Sequence, residues 1–275
     1  MRILTGCLLP AFLLSGAALA EECKDINFTL DSNDVRSLTL DVGAGYLGII
    51  GSADDNAVIE VQAQACAGTS SQLEDMDILY QRRGDTWEVE TEISEQNFNV
   101  FSLFSGDNQH RRIDIDLMVP AGLLLAVEDG SGNIDIRDVQ GEILIDDGSG
   151  DLQISDSSGP VRIDDGSGDI ELSNIDGRVD IDDGSGSMTL TRTMGVHIRD
   201  GSGDINIRDV EGDAVIADDG SGDMRIERVS GNVMVESDGS GDITVGDVQG
   251  DFTARDTGSG SVDYRDIGGS IEVRD

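Results

Sequence analysis

The chain has 275 residues, 56 of them acidic against 18 basic, a formal net charge of −38 at pH 7, and only 4% aromatic residues. So acidic a surface argues against nucleic acid and anionic membrane as partners, since both are held by clustered Lys and Arg. Acidity with few aromatics also marks disordered chains, but the strict alternation of Ile and Val through the C-terminal half argues against disorder.

Taken in order, the chain opens with Arg2, a largely apolar run from Ile3 to Leu14, and Ala18-Leu19-Ala20 just before Glu21. That pattern predicts a secretory signal peptide over 1–20, cleaved to leave a periplasmic or secreted protein of charge −39 once Arg2 is lost. Leu4-Thr5-Gly6-Cys7 has a lipobox look, but its apolar core follows the cysteine rather than preceding it. No later run approaches the ~20 apolar residues that span a bilayer, so no membrane span is expected. Cys23 and Cys66 remain after processing, and in an oxidising compartment an isolated pair predicts one disulfide. A metal bound by cysteine is poorly supported, because His110 and His197 both lie far from either one.

Residues 21–122 read as a strand-rich capping region. Period-two patterns run through Phe28 and Leu30, through Leu38, Leu40 and Val42, and through Ile59, Val61 and Ala63. Turns are expected at 43–45 and 51–55, a strand around Trp87, a polar loop over 101–112, and a strand over 113–120 closed by Pro120. No helix of useful length is expected after the signal.

From Leu123 to Asp275 a repeat takes over. Gly-Ser-Gly recurs with its first glycine at 130, 148, 166, 184, 201, 220, 239 and 258, steps of 17 to 19 residues. A fixed period of this kind signals a stacked architecture. Within 148–165, Gly148-Ser149-Gly150 makes a tight turn, Leu152 and Ile154 alternate with Gln153, Asp156-Ser157-Ser158-Gly159 makes a second turn, and Val161 and Ile163 flank Arg162. Two short strands and two turns predict one coil of a parallel β-solenoid, about eight coils in all, stacked at ~4.8 Å. Four aliphatic columns result, headed by Ile134, Ile136, Ile143 and Ile145. The fold class expected is therefore all-β. The 17-residue step at Thr193-Met194 marks an irregular coil, with a deletion, a kink or a contact site as readings.

The segments Leu40-Asp-Val-Gly-Ala-Gly45 and Asp116-Leu-Met-Val-Pro120, followed by Ser-Gly-Asp-Ile alternating with Gly-x-Val-x-Ile, resemble the bacterial "putative adhesin" family. The resemblance implies an exported, noncatalytic β-solenoid of unassigned biochemical role, with no catalytic residue to transfer. Its partner would be an envelope or extracellular protein or glycan.

Two aspartate series flank the Gly-Ser-Gly turns. Asp129, Asp147, Asp165, Asp183, Asp200, Asp219 and Asp238 precede them, with Thr257 breaking the series. Asp151, Asp169, Asp204, Asp223 and Asp242 follow them, with Asn133, Ser187 and Ser261 in the other places. Both are expected as ladders on one solvated edge. One reading has each carboxylate accepting hydrogen bonds from its own turn; the other has Ca²⁺ offsetting their repulsion through oxygen ligands. A carbohydrate-active enzyme is a third possibility at the level of architecture, but repeated carboxylates on loop-poor coils lack the single exception that makes an active site. His197 is expected to face solvent, and the outward positions form no Thr-x-Thr array of the ice-binding kind. The last coil ends in the strand 271–275, an open edge available for self-association.

Overall fold

The computed structural model describes residues 21–52, 58–93 and 111–274; the expected signal peptide and most of the loop over 101–112 fall outside them. The chain is a parallel β-solenoid. Strands β1 (Glu22–Asp31), β2 (Ser37–Val42), β3 (Leu47–Ser52), β4 (Val58–Ala67), β5 (Met76–Arg83), β6 (Thr86–Ile93) and β7 (Arg112–Pro120) precede the repeat. One short helix, α1 (Ser70–Glu74), links β4 to β5, with Thr69 accepting the Gln72 amide at its start. The repeat supplies β8 (Leu124–Asp129), β9 (Ile134–Arg137), β10 (Ile143–Asp147), β11 (Leu152–Ser158) and β12 (Val161–Asp165). Then come β13 (Ile170–Asp183), β14 (Met188–Asp200), β15 (Ile205–Val210), β16 (Ala214–Asp219) and β17 (Met224–Val229). The last are β18 (Val233–Ser237), β19 (Ile243–Val248), β20 (Phe252–Asp256), β21 (Val262–Ile267) and β22 (Ile271–Val273).

Two sheets face each other across an aliphatic core. One runs β5, β6, β2, β8, β10, β12, β13, β14, β16, β18, β20, β22. The other runs β1, β4, β7, β3, β9, β11, β13, β14, β15, β17, β19, β21. The strands β13 and β14 pass from one sheet to the other without a break. Among the described residues antiparallel pairing occurs only at the cap end, between β1 and β4, β4 and β7, and β5 and β6.

The columns hold their expected register: Leu152 lies between Ile134 and Ile170, and Val161 between Ile143 and Val179. The stack also begins earlier than the repeat does. Leu38 and Leu40 sit on Leu125 and Val127, and Leu47 and Ile49 on Ile134 and Ile136. Gly51 and Ser52, expected in a turn, close β3 instead, and 53–57 lie outside the described residues. The 17-residue step is absorbed where β13 pairs with β14, between Ile175 and Arg178. The first 19-residue step adds a bulge that lets Asp219 still stack on Asp200.

The second turn falls at 156–159 as expected, but it opens on a corner inside the strand: Asp156 has left-handed backbone, φ 51°, before the chain leaves β11 at Gly159, and Asp138, Asn174, Arg192, Asp209, Arg228, Asp247 and Asp266 repeat that corner. Asp and Asn tolerate this conformation through local hydrogen bonding. The residue after each corner from Asp138 to Asp247 turns inward, so Val139, Ser157, Ile175, Thr193, Val210, Val229 and Val248 form a further buried column.

Candidate functional site

The two aspartate series do not share one solvated edge. Asp147 ends β10 in the same inward phase as Ile143 and Ile145, so its carboxyl enters the coil. Asp129, Asp147, Asp165, Asp183, Asp200, Asp219 and Asp238 are only 1–6% exposed. From Asp129 to Asp219, each Oδ1 accepts the amide N–H of the serine two residues on, at 3.0–3.2 Å. The other oxygen, Oδ2, is buried in all six without a hydrogen-bond partner.

Burial raises the pKa of these carboxyls because it penalises their charged form. It pushes Asp129 and Asp200 up to about 6, and Asp147, Asp183 and Asp219 up to about 7. Neighbouring ladder members add to the rise at Asp147, Asp183 and Asp219. Asp165 and Asp238 shift the same way.

The second series is exposed and acts as a staple between coils. The Asp151 carboxylate accepts the Asp169 amide at 3.3 Å, Asp169 the Ser187 amide at 2.9 Å, and Asp204 the Asp223 amide at 2.9 Å. Asp223 accepts from Asp242 at 3.0 Å and Asp242 from Ser261 at 2.9 Å. The hydrogen bonds from Ser261 hold the Asp242 carboxyl below its ordinary range. The inner row therefore serves the amides of its own turns, as the first reading of the sequence has it, although it lies inside; the outer row serves amides of the following coil instead. Among the described residues, three ligand atoms of His, Cys, Asp or Glu converge only at Glu21, Cys23 and Cys66. There the sulfurs are joined in the Cys23–Cys66 disulfide. Neither aspartate row gathers three carboxylates.

A long concavity lies elsewhere, at the left-handed corners. A groove of about 1420 Å³ runs along the coils from Asn174 to Gly268. Its floor follows the inward column, Ile175, Thr193, Val210, Val229, Val248 and Ile267. The corner residues Asn174, Arg192, Asp209, Arg228, Asp247 and Asp266 stand on one side. Asp176, Met194, Glu211, Ser230, Gln249 and Gly268 stand on the other. The indentation arises at the corner itself: one left-handed residue breaks the period-two alternation, and the next side chain is drawn into the core.

Charge pairing stiffens the first wall. Arg228 bonds both carboxylate oxygens of Asp209, at 2.5 and 2.9 Å, which lowers the Asp209 pKa. Just outside it, Glu227 receives Arg225 at 2.5 Å and Arg265 at 2.7 Å. Arg265 reaches back two coils because the position between them is Gly246, where a side chain would meet the arginine. Along the groove the backbone is already spent on coil pairing: Glu211 donates to Thr193, Ser230 to Val210, Gln249 to Val229 and Gly268 to Val248, at 2.8–2.9 Å.

The groove was marked in the sequence only by the irregular Thr193-Met194 step, and by an Asp-Val pair at constant offset at 209–210 and 247–248. His197 lies on the outer sheet face, and its Nδ1 sits 3.2 Å from Asp180, which also pairs with Arg162 at 3.4 Å. Among the described residues no helix is long and apolar enough to cross a membrane.

No protein-family model and no curated protein matches the chain. Solved structures do. A "putative lipid binding protein" from Parabacteroides distasonis is 15% identical over 92% of this chain and 96% of that one, with a TM-score of 0.51. A "putative adhesin" from Bacteroides fragilis is 13% identical over 90% and 96%, with a TM-score of 0.44. Another from Parabacteroides merdae is 13% identical over 92% and 95%, with a TM-score of 0.44. At such identities the likeness is one of fold.

Proposed function

We propose that the protein is a noncatalytic, exported, adhesin-like binding module of the bacterial envelope, and that its working surface is the corner groove. The groove carries this reading. It crosses six successive coils, roughly 24 Å at about 4.8 Å per coil, on a scaffold of continuous strand pairing. A long, open concavity on a rigid body suits an extended partner rather than a small substrate. Export is supported by the amino-terminal pattern and by the disulfide, which persists in oxidising compartments. The noncatalytic reading rests on repetition: the carboxylates recur coil after coil, and the His197–Asp180 pair lies outside the groove.

The test is adhesion of labelled mature protein to a panel of bacterial cells and isolated envelopes. Ser230 is exposed in the groove, so Ser230→Trp obstructs it partway along, whereas Thr189→Trp adds the same bulk on an outer strand face. Saturable binding that Ser230→Trp abolishes and Thr189→Trp preserves, at unchanged unfolding midpoints, is the expected result. Equal binding by both variants would sink the reading.

A further inference from the structure

We infer that the groove takes a neutral, linear glycan, an inference that rests on the groove's being the working surface. Three observations lead there by exclusion and fit.

The first concerns the backbone. A peptide bound in extended form is held chiefly by main-chain hydrogen bonds to an open strand edge. The coils from Asn174 to Gln249 have their amides and carbonyls engaged by the coils before and after them, as in Glu211 to Thr193 and Ser230 to Val210. Among the described residues only β21, at the far end of the groove, is paired on one side alone, so along most of its length an extended peptide lacks its principal mode of attachment.

The second concerns charge. Asp176, Asp209, Glu211, Asp247 and Asp266 outnumber Arg192 and Arg228 in the lining. Arg228 is moreover committed to Asp209 by two hydrogen bonds, and Arg192 to Asn174. A polyanion, whether uronate, phosphate polymer or anionic lipid headgroup, meets net repulsion there. An acyl chain finds isolated apolar surface only, chiefly the exposed Met194, because the aliphatic floor residues Ile175, Val210, Val229 and Val248 are only 1–2% exposed.

The third concerns what the walls offer. Glu211, Ser230 and Gln249 follow one another at the coil spacing on one wall, and Asp247 and Asp266 do so on the other. Carboxylates accept from hydroxyls, and amides both donate and accept, so such rows match a chain that presents hydroxyls at regular intervals. A glycan's sugar units recur on a length scale close to that spacing. Hydrogen-bonding sites of this kind discriminate strongly for the hydroxyls they were built to meet.

The experiment is titration calorimetry of the mature protein with soluble linear polysaccharides. The probes are a neutral glucan and a neutral mannan, polygalacturonate as the acidic counterpart, an unstructured peptide, and phosphatidylcholine vesicles. Saturable binding to a neutral glycan is expected, weakened at least about tenfold by Ser230→Trp and severalfold by Asp247→Ala, with both variants folded. Affinity should rise with oligosaccharide length and level off near the groove's span of roughly 24 Å. Binding to polygalacturonate, peptide or vesicles with none to either neutral glycan overturns the inference, as does silence from the whole panel. In either case the adhesion assay decides the underlying reading: it stands if Ser230→Trp still abolishes attachment to cells and falls if it does not.

Discussion

A carboxyl that points into an aliphatic coil holds its proton more tightly than one in water, and the inner aspartates do so at seven levels of the stack. Their folded pKa lies above the unfolded value, so the folded state binds more protons between the two. The stability they contribute is complete below the unfolded pKa of about 3.8 and is lost as pH rises through about 6 to 7. The protein should therefore unfold at a higher temperature at about pH 5 than at about pH 7.5. Asp183→Asn keeps the acceptor for the Ser185 amide but cannot ionise. It should flatten that pH dependence and raise the midpoint near pH 7.5; an equal loss at both pH values would contradict the assignment. Gly168 illustrates a steric limit at the same scale. It has φ +150°, and a Cβ there would come within 1.7 Å of the Gly150 carbonyl oxygen in the adjacent coil. Gly168→Ala should cost about 3 kcal/mol or more in urea unfolding, whereas Gly122→Ala, where a Cβ meets nothing within 4 Å, should be near neutral.

Between elements, the outer aspartates replace one turn's missing acceptor with the side chain of the coil before. Removing the Asp204 carboxylate leaves the Asp223 amide without it, so Asp204→Ala should cost about 1 kcal/mol, with Asp204→Asn restoring most of that. Hydrogen exchange at the Asp223 amide is the direct readout, and unchanged protection in Asp204→Ala would refute the staple. The same geometry bears on cations. Each outer carboxylate already serves an amide, and three do not converge among the described residues. Millimolar CaCl₂ should then raise the unfolding midpoint no more than NaCl of matched ionic strength, by screening alone. A shift specific to Ca²⁺ would reinstate the metal ladder. The Glu227 cluster shows another inter-coil device, a glycine gap at 246 through which Arg265 spans two coils.

For the whole molecule, stability is a sum over neighbouring coils, since no coil can bury its aliphatic side alone. The cap end differs because its strands are antiparallel and one covalent link joins them, Cys23 opposite Cys66 across β1 and β4. That link closes a sequence separation of 43 residues, worth up to about 4 kcal/mol through the unfolded state. Reduction should lower the unfolding midpoint while leaving the β-rich circular dichroism spectrum intact at room temperature. Loss of the spectrum on reduction would mean that the cap nucleates the stack rather than terminating it.

The sequence by itself determined the coil: period-two aliphatics fix which side chains face inward, and glycines at a fixed period fix where coils turn. It therefore specified the four main columns and the disulfide partners, since only two cysteines come after the expected cleavage site. It also held a signal for the inner ladder, because Asp147 shares the parity of Ile143 and Ile145, but the acidic side chain argued for solvent. The tertiary structure decided that conflict. Continuous strand pairing through β10 and β12 carries the backbone straight into the turn, and the carboxyl has to keep its phase inward. The groove, too, depended on tertiary structure. A single left-handed residue leaves no periodic trace distinct from a turn, and only stacking six such corners in register makes a channel of them.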